Sequence, residues 1–288
     1  MFHYFYDQDK YPKVQGSISA QRLEKIINKY NIISAKEWME KYETKSLKED
    51  ELFISLDDGL KEQLDIALPV LQKYNLTALW NINTNPTKGG IDNLDLYRYF
   101  RNYCFATVEE FYQQFFYTVN VGVTNCDNID IGDYLCNSPF YSYDDKKFRY
   151  VRDVILGKDY NKVMDNMIQQ YGLDPYMLDL WIGEKDIQQL SQTGHVIGLH
   201  THNHPTNMDK LTKIEQYEEL YLNKKILDKI TNTNIIAAAY PCGKYNEDTI
   251  DVLIDLGVKY AFLCYENDYT KNCDRYTLGR LDCSNVKL

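Results

Sequence analysis

The chain has 288 residues, of which 44% are hydrophobic and 14% aromatic, and its formal net charge is −10. This composition is ample for a packed core and argues against disorder, while the acidic balance argues against a nucleic-acid-binding surface. No run approaches the roughly 18 apolar residues of a membrane span, so we expect none.

The first residues and the cysteines indicate a compartment. Residues 1–7 lack a basic start, an apolar stretch and a small-residue cleavage site, so we expect no secretory signal. The seven cysteines are an odd number without paired short spacing, which fits reduced thiols better than a disulfide framework or a zinc–thiolate site. We therefore predict a cytoplasmic protein.

The start of the chain alternates between predicted strands and helices. In chain order we predict a strand over 2–6, helices over 19–30 and 34–39, a strand over 52–56, a helix over 64–71 with a bend near Pro69, and a strand over 77–82. This βαβ-like order favours a largely parallel sheet or barrel.

The pattern changes between residues 84 and 178. A loop over 83–90 is followed by aromatic-rich helices over 94–103 and 108–116, an irregular stretch over 120–145, and helices over 150–156 and 160–171. We predict a partly helical insertion, 84–178, that packs on the barrel within a single domain, 1–288. A lid, a substrate platform and an oligomer interface are the alternatives for its role.

Regular alternation resumes near Trp181. A helix through Ile187 and Leu190 precedes a strand over 195–199, then come a helix over 212–230, a strand over 235–240, a helix over 246–257 and a strand over 260–264. The tail, 278–283, has no clear pattern of its own.

Two adjacent carboxylates, Asp57 and Asp58, follow the strand over 52–56 and precede Gly59. Neighbouring residues of a strand point to opposite faces, so the two acids can share one cavity only where the chain turns, which Gly59 permits. Buried carboxylates repel each other unless a cation or hydrogen-bond donors hold them.

A cluster of histidines follows the strand over 195–199. His200 and His204 have the spacing that places two imidazoles on one helical turn, and two imidazoles with one carboxylate make a common divalent-metal site. A solvated histidine-rich loop is the alternative. A metal site is favoured because a strand leads directly into the histidines and because the Asp57-Asp58 pair lies at the end of another strand. For His202 three roles stay open: an exposed residue, a group that holds a metal ligand in place, or a proton donor. We interpret His3 and His195 as structural.

Three motifs resemble the NodB-type polysaccharide deacetylases, carbohydrate esterase family 4. They are Ser55-Leu56-Asp57-Asp58-Gly59, His200-Thr201-His202-Asn203-His204 and Tyr240-Pro241-Cys242-Gly243. The resemblance implies an α/β fold, a distorted (β/α) barrel of about seven strands with its site at the C-terminal strand ends and a large, partly helical insertion. The insertion and the tail around Arg280 resemble a branch found in bacterial surface-glycan biosynthesis.

The resemblance also implies residue roles. Asp58, His200 and His204 would bind a divalent metal, most commonly zinc, with cobalt and nickel as alternatives. Asp57 would be the general base for the attacking water. The backbone N–H of Cys242 would hold the oxyanion, and we interpret the Cys242 thiol as a packing group.

The third motif and the tail supply the other candidates and two departures from the family. Tyr240 and Pro241 would contact substrate, as would His202. The arginine with which the family orients its base is Ala239 here; Arg280 would replace it, or would form a surface salt bridge. The family's late histidine, which protonates the leaving amine, has no counterpart, so His202, a water or the substrate would donate that proton, or activity would be weak.

The sequence therefore predicts a metal-dependent hydrolase that removes an N-acetyl group from an amino sugar or glycan precursor. Its partner would be that sugar or glycan, without nucleic acid, and a homo-oligomer is left open. The alternatives are hydrolysis of another C–N amide bond and a glycan-binding protein without turnover.

Overall fold

The computed structural model describes residues 1–136, 141–266 and 274–287. The chain divides into two compact units, Met1–Gly90 with Asp179–Leu288 and, separately, Ile91–Leu178. The second unit occupies most of the predicted insertion, whose packing on the barrel stays a prediction. Cys273 lies outside the described residues. Five of the described cysteines are free thiols, namely Cys104, Cys126, Cys136, Cys264 and Cys283.

Seven strands are present in the described part of the first unit. They are β1 (Asn31–Ile32), β2 (Glu51–Leu52), β3 (Ser55–Asp57), β4 (Leu79–Ile82), β5 (Val196–Leu199), β6 (Ala237–Ala239) and β7 (Tyr260–Phe262). Strands β3 to β7 form one parallel sheet in chain order, and β1 pairs with β2 in a separate parallel pair. The predicted α/β class with a largely parallel sheet is confirmed.

Short bridges extend the two edges of the five-stranded sheet. Phe2 pairs with Leu56 beside β3, and Leu278 pairs with Phe262 in β7. The continuous strand predicted over 2–6 is wrong, because the backbone N–H of Phe5 donates to Glu62 Oε1 at 2.8 Å instead of continuing a ladder. The backbone of Met1 accepts a hydrogen bond from Cys283 N–H at 3.1 Å, so the two edge segments meet.

Eleven α-helices lie in the described residues. They are α1 (Ala20–Lys29), α2 (Ala35–Glu43), α3 (Leu68–Lys73), α4 (Thr84–Thr87), α5 (Asn93–Tyr103), α6 (Val108–Gly122), α7 (Tyr143–Tyr150), α8 (Tyr160–Gln170), α9 (Glu184–Gln192), α10 (Lys213–Thr231) and α11 (Glu247–Asp255). Helix α10 begins with a capping box, since the Thr212 hydroxyl accepts the backbone N–H of Glu215 and the Glu215 carboxylate accepts the backbone N–H of Thr212.

A π-helical turn, Gln63–Ala67, replaces regular α-helix directly before α3. Pro69 has no N–H to donate to the carbonyl of Asp65, so a regular α-helix would lose a hydrogen bond here. The backbone N–H of Leu68 bonds instead to the carbonyl of Gln63. The bend predicted near Pro69 therefore takes the form of a widened turn.

Both faces of the five-stranded sheet are buried, as parallel sheets require. One face packs on α2 through Trp38, and its apolar members include Leu79, Ala237, Tyr260 and Phe262. Side chains of a strand alternate between the two faces, so Asn81 lies on the same face as Leu79. Asp57 pairs with Asn81 and lies on this face too, at the C-terminal end of β3. The functional candidates therefore lie where the apolar lining of this face ends.

The second unit has its own helical core. Helices α5 to α8 surround a cluster of aromatic rings that includes Phe100, Phe111, Phe115 and Phe148. Helix α6 continues to Gly122, beyond the predicted end at residue 116. No helix in the described part of the chain is long and apolar enough to cross a membrane.

Candidate metal centre

The first motif turns sharply where β3 ends. Asp58 has a φ of 75° and Gly59 a φ of 64°, so two consecutive residues adopt left-handed conformations. Aspartate tolerates this region better than most residues, and glycine adopts it freely. Because of this turn, the Asp58 carboxylate faces two histidines while the Asp57 carboxylate faces Arg280.

The second motif is also a turn, which corrects the helical geometry expected from its spacing. His200 directly follows β5, and Thr201 and His204 have φ values of 63° and 55°. The hydroxyl of Thr201 accepts the backbone N–H of His204 at 3.1 Å, which closes the turn. The two imidazole rings lie 4.8 Å apart between centroids.

Asp58, His200 and His204 form a compact buried group. Asp58 Oδ1 lies 3.2 Å from His200 Nε2 and 3.4 Å from His204 Nε2. His200 Nδ1 lies 2.9 Å from the carbonyl oxygen of Ala239, which only accepts, so Nδ1 donates and Nε2 is the ring nitrogen that faces Asp58. The candidate ligand atoms all lie within 4.8 Å of one another.

The group fits a divalent cation. Asp58 Oδ1 is buried and has no hydrogen-bond partner in the part of the chain that the structure describes. Burial opposes ionisation of Asp58, but the neighbouring imidazoles of His200 and His204 hold the pKa of its carboxyl below the usual range. One carboxylate oxygen with two imidazole nitrogens is a donor set that zinc and similar ions take.

Asp57 is held by three donor groups at the same edge of the sheet. Arg280 donates from Nη1 to Oδ1 and from Nη2 to Oδ2, both at 2.7 Å, and Asn81 Nδ2 donates to Oδ1 at 2.7 Å. Arg280 Nε donates to the carbonyl of Leu263 at 2.6 Å. Arg280 is only 5% exposed, so the surface salt bridge considered for it is excluded.

Opposing effects act on the ionisation of Asp57. Burial alone would raise the pKa of this carboxyl, but the charge of Arg280, the imidazole of His200 and the hydrogen bonds from Arg280 lower it below its ordinary value. A bidentate guanidinium–carboxylate pair is also geometrically rigid. Asp57 is therefore an ionised, oriented carboxylate beside the candidate ligands.

His3 also lies at this site, although no sequence motif predicts it there. His3 Nε2 lies 3.7 Å from Asp57 Oδ2, and the side chain is 28% exposed. From the sequence we interpret His3 as a structural residue, and none of the three motifs includes it. Only the pairing of Phe2 with Leu56 brings it beside β3.

The remaining histidines have other partners. His202 Nδ1 lies 2.9 Å from Thr84 Oγ1, and His202 does not belong to the group of candidate ligands. His195 Nδ1 accepts hydrogen bonds from the backbone N–H of Ala78 at 3.0 Å and from Trp80 Nε1 at 3.1 Å. His195 is therefore a structural residue of the core.

The third motif follows β6. Tyr240 is buried, stacks on Tyr245 at 4.4 Å between ring centroids and donates its hydroxyl to the carbonyl of Tyr276 at 2.8 Å. Pro241 is also buried, and the exposed Cys242 has a φ of 52°. Substrate contacts by Tyr240 and Pro241 stay predictions, and the Tyr240 hydroxyl is already bonded within the protein.

Comparison with known proteins confirms the resemblance. Residues 160–261 match the polysaccharide deacetylase family, a range that contains the second and third motifs. A curated relative, "Putative polysaccharide deacetylase YxkH" of Bacillus subtilis (strain 168), is 25% identical over 126 residues, which are 41% of this chain and 45% of the relative. The aligned part thus spans less than half of that relative.

Two solved structures have the same fold. Streptococcus pyogenes deacetylase PplD in complex with acetate has a TM-score of 0.57 at 17% identity, over 99% of this chain and 93% of that chain. A de-N-acetylase from Aggregatibacter actinomycetemcomitans has a TM-score of 0.56 at 16% identity, over 98% of this chain and 92% of that chain. The curled parallel sheet with its helices is that of the NodB-type deacetylases.

Proposed function

We propose that this relative of the polysaccharide deacetylases is a metal-dependent hydrolase that removes an N-acetyl group from an amino sugar of a glycan or glycan precursor. The observation that carries the proposal is the buried Asp58–His200–His204 group directly beside the paired Asp57 carboxylate. A purely structural core would not need two adjacent buried carboxylates with separate partners.

Each residue of the site has a role in this proposal. Asp58, His200 and His204 would hold the metal, with zinc as the first candidate. A bound divalent ion would polarise the acetyl carbonyl and make water a better nucleophile at neutral pH. Asp57 would take the proton of the attacking water, and Arg280 and Asn81 would orient it. The backbone N–H of Cys242 is proposed to stabilise the developing oxyanion.

His3 supplies the part of the reaction that the motifs leave open. The leaving amine must gain a proton when the C–N bond breaks, and histidine is the side chain that most often acts as a general acid or base. His3 Nε2 lies 3.7 Å from Asp57 Oδ2 and its side chain is 28% exposed, so it adjoins the site and is open to solvent. We therefore assign proton donation to His3 rather than to His202, which faces Thr84.

The relatives support an acetylated sugar as the substrate. One neighbour of the same fold is a de-N-acetylase, and another was solved in complex with acetate. The tail that places Arg280 supports the surface-glycan branch, as does the helical insertion. A cytoplasmic location and an N-acetylated glycan precursor are parts of this proposal.

The proposal is tested by acetate release. The protein is treated with EDTA, reloaded with zinc, cobalt or nickel, and incubated with N-acetylglucosamine and its oligomers of two to six units. We expect metal-dependent acetate release, loss of release after EDTA and strong loss in Asp57→Asn. Metal-loaded, folded protein that releases no acetate from any of these sugars would contradict the proposal.

A further inference from the structure

Gln63 joins the backbones of His3 and Asp57. Its Nε2 donates to the carbonyl of His3 at 2.8 Å and to the carbonyl of Asp57 at 2.6 Å, and the residue is 0% exposed. Both partners only accept hydrogen bonds, so the orientation of the amide is fixed by its surroundings. One side chain thus connects the two residues whose own side chains lie 3.7 Å apart.

The other end of the Gln63 amide gives a second observation. Gln63 Oε1 is buried without a hydrogen-bond partner in the described residues. An unsatisfied buried acceptor destabilises the folded chain, and an apolar side chain of similar size would avoid that cost. The amide is therefore useful for its two donated hydrogen bonds rather than as a filler of the core.

The segment that carries His3 is otherwise fixed on either side of it. Phe2 bonds through its backbone to Ser55 and Asp57, and the N–H of Phe5 donates to Glu62 Oε1. Gln63 acts between these points, on the carbonyl of His3 itself. It is the first residue of the widened π-helical turn, a feature that is frequent at functional sites.

We propose that Gln63 is a positioning residue that holds His3 against Asp57 so that His3 can protonate the leaving amine. This inference rests on the proposed function, because it assigns Gln63 to one step of that reaction. Gln63 would act through His3 and would not touch the substrate. A displacement of about 1 Å at a reacting group can reduce a rate about 100-fold, so a single anchor of this kind can control turnover.

The test compares Gln63→Met with Gln216→Met in the full-length, zinc-loaded protein. Gln216 is a matched control because it is also 0% exposed and donates from Nε2 to a backbone carbonyl, that of Leu211, at 2.9 Å. With penta-N-acetylchitopentaose, we expect Gln63→Met to lower kcat about 10- to 100-fold with little change in KM. Equal losses in the two variants would overturn the inference.

Two further measurements separate positioning from a general loss of structure. 4-Nitrophenyl acetate releases a phenolate that needs no proton. The rate loss caused by Gln63→Met should therefore be at least about tenfold smaller for this ester than for the amide substrate. In a His3→Gln background, Gln63→Met should cause little additional loss of amide hydrolysis, since the two residues act as one unit. Equal loss on both substrates, or fully additive losses, would contradict the inference.

NMR spectroscopy tests the positioning role of Gln63 even if the proposed function fails. With ¹³C-labelled histidine, the protein gives ring signals for its five histidines, and His3→Gln identifies the one from His3. We expect Gln63→Met to shift or broaden that signal, and Gln216→Met to leave it unchanged. An unchanged His3 signal in Gln63→Met would overturn the inference, whereas absent acetate release alone would overturn only the proposed function.

Discussion

At Asp57, burial and charge have opposite effects on a single carboxylate. Desolvation disfavours the ionised form, yet the two nitrogens of Arg280 and the amide of Asn81 stabilise it at 2.7 Å each. The pKa of Asp57 is consequently held below its ordinary value. An oriented carboxylate that stays ionised at every working pH does not itself set the acid limb of a pH–activity profile.

Arg280→Lys is predicted to be a damaging change although it keeps the charge. A lysine ammonium cannot make the paired hydrogen bonds to both Asp57 oxygens, so the carboxylate would lose its fixed orientation. We expect kcat/KM for acetate release to fall about 100-fold. The matched control is Arg275→Lys, since Arg275 forms an exposed ion pair with Glu43 in the same segment. Equal activities of the two variants would refute an orienting role for Arg280.

His195 gives a pH prediction at a second buried residue. Burial lowers the pKa of its imidazole from 6.5 to about 4, although the bond from Ala78 opposes this. The unfolded chain therefore binds a proton that the folded chain excludes, so the stabilisation is complete above about pH 6.5 and is lost as the pH falls towards 4.

The lowered pKa of His195 contributes up to about 3 kcal/mol to the free energy of unfolding at neutral pH. His195→Asn keeps an acceptor for the N–H groups of Ala78 and Trp80 but cannot be protonated. Urea unfolding between pH 4 and 7 should show a smaller loss of stability for this variant than for the native chain. Parallel curves for the two proteins would show that another group is responsible.

At the scale of elements, three residues of the site lie at or near the C-terminal ends of parallel strands. Asp57 ends β3, Asn81 lies opposite Gly198 in the pairing of β4 and β5, and His200 follows β5. The positions of Asp57 and His200 were predictable because their motifs directly follow apolar strand patterns. Asn81 lies inside β4 and belongs to no motif, so its place at the site was not predicted. The turn geometry was not predictable either, since the four-residue spacing of His200 and His204 suits a helix as well as a Thr201-closed turn.

Gly198→Ala tests how closely neighbouring strands are fitted around the site. A Cβ at residue 198 would lie 2.2 Å from Asn81 Oδ1, so the Asn81 amide that holds Asp57 would have to move. We expect a loss of stability of about 1–3 kcal/mol and at least a tenfold lower kcat for acetate release, with zinc still bound.

Gly122→Ala is the control for this change. Gly122 has a negative φ, and an added Cβ would meet no atom within 4 Å. Thermal unfolding and acetate release of this variant should match those of the native chain. If Gly198→Ala behaves in the same way, Asn81 does not need its present position to support Asp57.

At the scale of the whole first unit, the site is assembled from distant segments. The bridge at Phe2 brings His3 to one side of Asp57, and the bridge at Leu278 brings Arg280 to the other. Both segments pair at the edges of the sheet, where no long apolar run marks them in the sequence. Arg280 was a candidate only through the family resemblance, and His3 was missed, because long-range pairing leaves no local pattern.

Metal binding should also stabilise this unit as a whole. A ligand that binds only the folded chain adds RT ln(1 + [L]/Kd), which is about 4 kcal/mol at a thousandfold excess over Kd. We expect EDTA to lower the melting temperature of the native chain and zinc to restore it. The restoration should be absent in His204→Asn, which removes one of the three candidate ligands.

His202→Asn is the matched control, because His202 lies in the same turn but bonds to Thr84 outside the ligand group. Its melting temperature should still rise with zinc, although its starting value can differ. This comparison, made by differential scanning calorimetry on metal-free protein, isolates the candidate site from weak binding elsewhere on an acidic chain. An equal zinc-induced rise in both variants would place the stabilising metal at another site, because His204 faces Asp58 whereas His202 bonds to Thr84.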